Sequence, residues 1–250
     1  MRVVAGMATF PDREFTSLGD TIRSLIDQVD VLHLYLNEYE SKPKWLGRFD
    51  NIKLHLGTEH YGDLKDVGKF FGLSQEYGEF VYLAVDDDGL YPQDYASKMV
   101  ESLDVFDRDV IVTGHLDVFK DFEKCGGKIG NFFKPLKRYS YEHGNKDFVF
   151  GHVPGTGTVA FKSDLLEVNE LLKCNNEYIG ACDILIARIC QRDQIPIVCL
   201  PKPKGWLLDH KGNRGGKCIV RQARASRSND FLINEIISTF GLKTYKCSMR

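Results

Sequence analysis

The sequence predicts an α/β protein with a mostly parallel central sheet, helices on both sheet faces and a C-terminal extension. Three observations lead there. Through the first half of the chain, apolar runs of strand length alternate with segments whose apolar residues recur at helical spacing. The most apolar run, Phe80 to Val85, is nearly continuous, as expected of a strand covered on both faces. At 250 residues, with 43% hydrophobic and 12% aromatic content, the chain can bury such a core as one domain with a modest appendage.

The elements follow in order. Val3 to Met7 reads as a strand, Pro11 as a turn, and Leu18, Ile22, Leu25, Ile26 and Val29 as one face of a helix. Val31 to Leu36 and Ile52 to Leu56 read as strands, the second alternating apolar and polar residues. A helix is expected over Asp66 to Glu76, then the strand Phe80 to Val85. Pro92 suits the first turn of a helix with Tyr95, Met99, Leu103 and Phe106 on one side. Val110 to Thr113 is strand-like, and the aperiodic stretch Lys120 to Phe150 reads as loops and short strands over one sheet edge. Thr158 to Phe161 follows as a strand, with Ser163 capping a helix over Leu165 to Leu172. A helix over Ala181 to Gln191, a strand over Ile195 to Leu200 and a last helix containing Phe231 to Phe240 complete the pattern. The parallel strands imply right-handed crossovers.

The bulk charge excludes some roles. Thirty-three basic and 35 acidic side chains leave a formal charge of -2, so no global field recruits nucleic acid or a membrane surface. No apolar run reaches the length of a transmembrane segment or a signal core. Seven cysteines, at 125, 174, 182, 190, 199, 218 and 247, form no CxxC pair, and their odd number suits reduced thiols and a cytoplasmic location.

Asp86, Asp87 and Asp88 stand at the carboxyl end of the most apolar strand, the edge where open α/β sheets bind ligands. Three adjacent carboxylates repel one another unless a cation or hydrogen bonds neutralise them. Hard oxygen ligands of this kind suit Mn²⁺ or Mg²⁺, which complete their shells with substrate phosphates. The alternative is a solvated acidic turn leading into the next helix.

A strand ending in Asp-Asp-Asp, followed by Tyr91-Pro92 and a helix, resembles the GT-A, Rossmann-like class of nucleotide-sugar glycosyltransferases with family-2-like topology. The loop Ala8-Thr9-Phe10-Pro11-Asp12-Arg13 and the stretch Gly68-Lys69-Phe70 match the same class. The opening is most similar to the first domain of a multi-domain chlorovirus glycosyltransferase, and the likeness covers about the first 200 residues. This resemblance implies that Asp86 and Asp88 hold a donor diphosphate through a divalent metal, with Asp86 or Asp87 touching the ribose or sugar. It implies Thr9 and Arg13 as base and ribose contacts and Lys69 as a lysine near the nucleotide. It places Gly157 and Thr158, in Gly155-Thr156-Gly157-Thr158, opposite the donor sugar, where glycine permits close approach and hydroxyls can bond a sugar.

Asp183 corresponds to the base that deprotonates the acceptor hydroxyl in inverting members, although Cys182 stands where an acidic residue usually precedes it. His210 corresponds to a histidine brought back to the metal. Lys211, Arg214, Lys217, Arg221, Arg224 and Arg227 form a basic segment suited to a diphosphate or an anionic acceptor. The expected organisation is a catalytic domain over 1–205, divided into a nucleotide-sugar half (1–115) and an acceptor half (116–205), with a basic loop and helix over 206–250.

The expected activity is transfer of a sugar from a UDP-sugar to a glycan or glycolipid hydroxyl. Each assignment has a structural alternative: Thr9 as a cap, Arg13 and Lys69 as surface charges, Gly157 and Thr158 as a turn, Asp183 as a helix-dipole partner, His210 as a surface residue. Two other functions compete. A sugar nucleotidyltransferase shares the sheet and carboxylates, but Ala8 to Pro11 lacks the glycines that wrap a triphosphate. A non-catalytic carbohydrate-binding module on the same fold would bind without turnover.

Overall fold

In chain order, β1 (Val3–Thr9) leads into the single-turn α1 (Pro11–Glu14) and α2 (Leu18–Leu25). β2 (Val31–Leu36), β3 (Ile52–Leu56), a 3-10 stretch (Lys65–Ser74) and β4 (Val81–Val85) follow. β5 (Gly89–Leu90), α3 (Tyr95–Asp104), β6 (Ile111–Thr113), β7 (Leu116–Val118) and β8 (Lys137–Tyr139) come next. β9 (Val149–Gly151), β10 (Val153–Pro154), β11 (Thr158–Lys162), α4 (Val168–Leu172) and α5 (Cys182–Asp193) lead to β12 (Ile197–Cys199), β13 (Leu208–Asp209) and α6 (Ser228–Phe240). The structure is a computed structural model that describes residues 1–119, 128–135, 137–174, 176–211 and 226–250.

Eight strands form the main sheet in the order β3-β2-β1-β4-β11-β6-β12-β9. β1 to β4 are mutually parallel, as are β6 and β12, whereas β11 and the edge strand β9 run antiparallel to their neighbours. The chain proceeds outward from β1 to β3 and returns on the other side of β1 as β4. Their carboxyl ends therefore flank a topological switch point, the usual binding crevice of such sheets.

Each face of the sheet carries its own core. Tyr82 and Ala84 of β4 join the cluster under the 3-10 stretch, α4, α5 and α6, while Val81, Leu83 and Val85 join the cluster under α2 and α3. That alternation accounts for the unbroken apolar run, because both side-chain rows are buried. Leu18, Ile22 and Leu25 of α2 are each fully buried, contributing roughly 1.5–3 kcal/mol apiece. The C-terminal helix α6 adds Leu232, Ile233 and Ile236 to the α5 side of the core.

The structure departs from the sequence expectations in several places. Over 65–74 the chain winds as 3-10 helix instead of an α-helix. Gly68 and Gly72 lie so close to Tyr35 and His33 that a Cβ would come within 2.6 and 2.8 Å of them; the tighter winding presses this backbone onto β2. Ser163 does not cap a helix: its hydroxyl bridges Phe80 N and Gly78 O, and α4 begins only at Val168. Pro92 precedes α3, its carbonyl accepting the Tyr95 amide. Within the aperiodic stretch, β8 joins a small sheet of order β10-β7-β8, and β9 edges the main one. Residues 120–127 and 136 lie outside the described residues.

Candidate active site

Strand alternation carries past the end of β4 and sends the acidic residues in different directions. Asp86 continues the row of Tyr82 and Ala84 toward the 3-10 stretch, and Asp87 continues the opposite row toward α2. Asp87 is 7% exposed and accepts a 2.7 Å bond from the Thr9 hydroxyl, while its carbonyl accepts one from Thr21 at 3.2 Å. Arg13 lies 3.6 Å from Asp87 and 3.2 Å from Asp88, and among the described residues its buried Nε has no hydrogen-bond partner. Burial pushes the pKa of Asp87 and Asp88 up, and repulsion from the neighbouring carboxylates adds to it against the pull of Arg13. Asp87, Thr9 and Arg13 thus form one buried unit.

Lys69 is 3% exposed and its ammonium is bonded to Asp86. Burial alone would lower its pKa, but Asp86, Cys182 and Asp66 outweigh burial and hold it above the usual lysine value. Beside it, just before the adjoining strand β11, Gly157 approaches Asp86 so closely that a Cβ would stand 2.0 Å from Oδ2. No other residue type fits there without displacing Asp86. Tyr91 locks this approach, its hydroxyl accepting from Asp86 N and donating to Gly157 O, both at 2.8 Å.

Asp183 lies in the first turn of α5, and its Oδ1 accepts from Thr156 N at 2.8 Å and Thr156 Oγ1 at 2.6 Å. Burial raises its pKa, and Asp86 adds to this, against the two Thr156 bonds and Lys69. Asp66 fixes the start of the helix by accepting from Gly180 N and Cys182 N. Asp86, Asp88, Gly157, Thr158 and Asp183, with Tyr91, His115, Tyr141, Thr156 and Asp209, line a single cavity of about 210 Å³.

Two predicted contacts take a different form. The Thr158 hydroxyl, expected toward a sugar, bonds Gly114 N, Gly155 O and Thr113 Oγ1 instead. His210 reaches the triplet through its backbone, His210 N donating to Asp88 O at 2.8 Å, while its ring nitrogen lies 2.9 Å from Asp20 on α2. The pairing of β13 with β5 puts it there. Of the basic segment, Lys211 and Arg227 are described and Arg227 pairs with Asp230; Arg214, Lys217, Arg221 and Arg224 lie outside the described residues.

Among the described residues, no three His, Cys, Asp or Glu side chains converge as a metal cage. A divalent cation fits in another way. The Asp86 side chain is 50% exposed and that of Asp88 25%, both at the cavity, and the carboxylates repel one another as they stand. One or two carboxylates with substrate phosphates suffice for Mg²⁺ or Mn²⁺.

Sequence reasoning passed over Thr156 as a partner of Asp183, Tyr91 as the link between Asp86 and Gly157, and the pair Tyr141 and Asp209, whose hydroxyl and carboxylate are bonded. Tyr91-Pro92 and Gly155-Thr156 were visible as motifs, but the pairings of Tyr91 with Gly157, Tyr141 with Asp209 and Thr156 with Asp183 span 27 residues and more.

The mostly parallel main sheet and its likeness to solved structures give the fold as GT-A, a Rossmann-like fold. Among solved structures, the chain is similar to TarS residues 1–349 of S. aureus in complex with UDP-GlcNAc (TM-score 0.55, 12% identity, 97% of this chain and 68% of that one). It is equally similar to glucosyl-3-phosphoglycerate synthase from Mycobacterium tuberculosis in complex with Mn²⁺ and UDP-glucose (TM-score 0.55, 12% identity, 97% of this chain and 79% of that one). GalNAc-T7 with UDP, GalNAc and Mn²⁺ matches at TM-score 0.50 and 9% identity over 98% of this chain and 55% of that one. No protein-family model and no curated protein matches the sequence. Among the described residues, no helix is long and apolar enough to cross a membrane.

Proposed function

We propose that this chain is a metal-dependent glycosyltransferase moving a sugar from a UDP-sugar to a hydroxyl of a glycan or glycolipid, with inversion at the anomeric carbon. The observation carrying this reading is that one cavity is lined by Asp86, Asp88 and Gly157 together with Asp183. Asp86 and Asp88 would hold the Mn²⁺ or Mg²⁺, whose chemistry when bound is to stabilise charge on the departing diphosphate. The buried unit of Thr9, Arg13 and Asp87 would receive base and ribose, and buried Lys69 adds a fixed positive charge beside Asp86. Gly157 leaves room for the sugar.

Asp183 takes the proton of the acceptor hydroxyl. The acceptor oxygen then bonds to the anomeric carbon as the bond to the diphosphate breaks. Attack from the face opposite the diphosphate inverts that centre. His210, whose ring contacts Asp20, would join Asp88 at the metal on leaving that contact. Residues 1–115 would supply the donor half of the domain and 116–205 the acceptor half, with a basic loop and helix over 206–250. The same reading includes a cytoplasmic role in polysaccharide synthesis and the kinship of the opening to a chlorovirus enzyme.

Isothermal calorimetry of UDP, GDP and dTDP, each with and without Mn²⁺, tests this on wild type and on Asp86→Asn/Asp88→Asn. The expected result is metal-dependent binding of UDP that the variant loses. No binding of any nucleotide would overturn the donor-site assignment; binding without turnover of any UDP-sugar would make the chain a non-catalytic module.

A further inference from the structure

Asp183 is held in an unusual way. Thr156 gives both its amide (2.8 Å) and its hydroxyl (2.6 Å) to the same carboxylate oxygen, Oδ1. Among the described residues, none bonds Oδ2, and Asp183 faces the cavity. The Thr156 hydroxyl also lies 2.7 Å from Cys182 Sγ. A hydroxyl owns one hydrogen and two lone pairs. With that hydrogen committed to Asp183, the sulfur is assigned as the donor in the second contact, in preference to its other acceptors, Asp66 and, at 4.0 Å, Asp183 Oδ1.

We infer that Cys182 and Thr156 form a hydrogen-bonded relay, S–H to O–H to Oδ1, that orients Asp183 with Oδ2 free to take the acceptor proton; this rests on the reading of Asp183 as the base. Both residues are positioning residues, acting through Asp183. The neighbourhood suits the relay. Burial, with Asp66 and Asp183 nearby, pushes the Cys182 thiol well above its usual pKa, so it stays protonated and able to donate. The loop bearing Thr156 is fixed by Gly155 N to His115 O at 2.7 Å and Thr158 N to Gly155 O at 3.0 Å. Asp66 clamps the helix start carrying Cys182 and Asp183. Donors are thus rigid on both sides, which a general base held in one orientation requires.

The relay also accounts for cysteine at a position where the resemblance leads one to expect an acid. A carboxylate at 182 would add a third negative group to Asp66 and Asp183, whereas a thiol adds a donor without charge.

The test compares wild type with Thr156→Val, Thr156→Ser and Cys182→Ala. Turnover is read as UDP release from a panel of UDP-sugars with Mn²⁺, alongside UDP binding by calorimetry. Thr156→Val should lower kcat about ten- to a hundredfold while leaving KM for the donor and UDP affinity unchanged. Thr156→Ser, which keeps the hydroxyl, should recover most of the rate, and Cys182→Ala should lose several-fold. In the infrared, the wild-type-minus-Cys182→Ala difference isolates one S–H stretch. It should lie at the low frequency of a hydrogen-bonded thiol and rise in Thr156→Val. An S–H band indifferent to Thr156→Val, or an unchanged kcat in that variant, overturns the relay. A wild type that neither binds UDP nor releases it overturns glycosyl transfer, and with it the role of Asp183 as a base, while the S–H band still reports whether the bond exists.

Discussion

Acid should loosen the acceptor side of the cleft through His152, which is 5% exposed between β9 and β10. Its Nδ1 accepts from Phe119 N at 3.0 Å, so its proton sits on Nε2, 2.8 Å from Thr244 Oγ1. Burial lowers its pKa from 6.5 to about 4. The unfolded chain, titrating at the ordinary value, binds the proton first as pH falls, so stability is full above 6.5 and drains away between 6.5 and about 4. A 2.5-unit gap at 1.36 kcal/mol per unit gives a total near 3 kcal/mol, of which about 2.5 kcal/mol is lost between about pH 7 and about pH 4.5. His55, lowered to about 4, drains stability over the same window, so a variant is needed. In His152→Asn the amide oxygen replaces Nδ1 as acceptor and nothing titrates. Urea unfolding at both pH values should show the variant losing about 2 kcal/mol less than wild type. Equal losses in the two proteins would refute the reasoning.

Three further outcomes follow from the site. Thr9→Val removes a donor from a buried carboxylate and should cost about 2 kcal/mol in urea unfolding, with Thr9→Ser restoring most of it. Gly157→Ala places a methyl 2.0 Å from Asp86 Oδ2 and should weaken UDP–Mn²⁺ binding at least about tenfold by calorimetry, with the circular dichroism spectrum unchanged. Asp86→Asn strands the Lys69 ammonium, 3% exposed; allowing for the half-exposed Asp86, thermal unfolding should register a loss of about 2 kcal/mol that Asp86→Asn/Lys69→Met largely recovers.

Periodicity located β2 and β3 to the residue and placed the acidic triplet at the end of the strand buried on both faces. Those features are local: side-chain alternation and apolar spacing are properties of a few consecutive residues. What stayed hidden depends on partners distant in the chain. The reversed direction of β11 cannot be read from an apolar run, since a strand buried on both faces looks alike in either sense. The 3-10 winding of 65–74 is set by the close approach of Gly68 to Tyr35, more than 30 residues away. The ring of His210 found Asp20 across 190 residues, and the hydroxyl of Thr156 found Asp183 across 27. Motifs told which residues would gather at the cleft; the direction of each side chain needed the packed chain.

The two-residue ladder between β5 and β13, extended by His210 N to Asp88 O, is short enough to open often, since each such bond contributes only about 1 kcal/mol net. Gly89, Leu207 and Asp209 belong to the cavity wall as well as to this ladder or its flank. Amide exchange at His210 therefore clocks how long that wall stays intact, and a molecule filling the cavity should slow the exchange in proportion to its own occupancy.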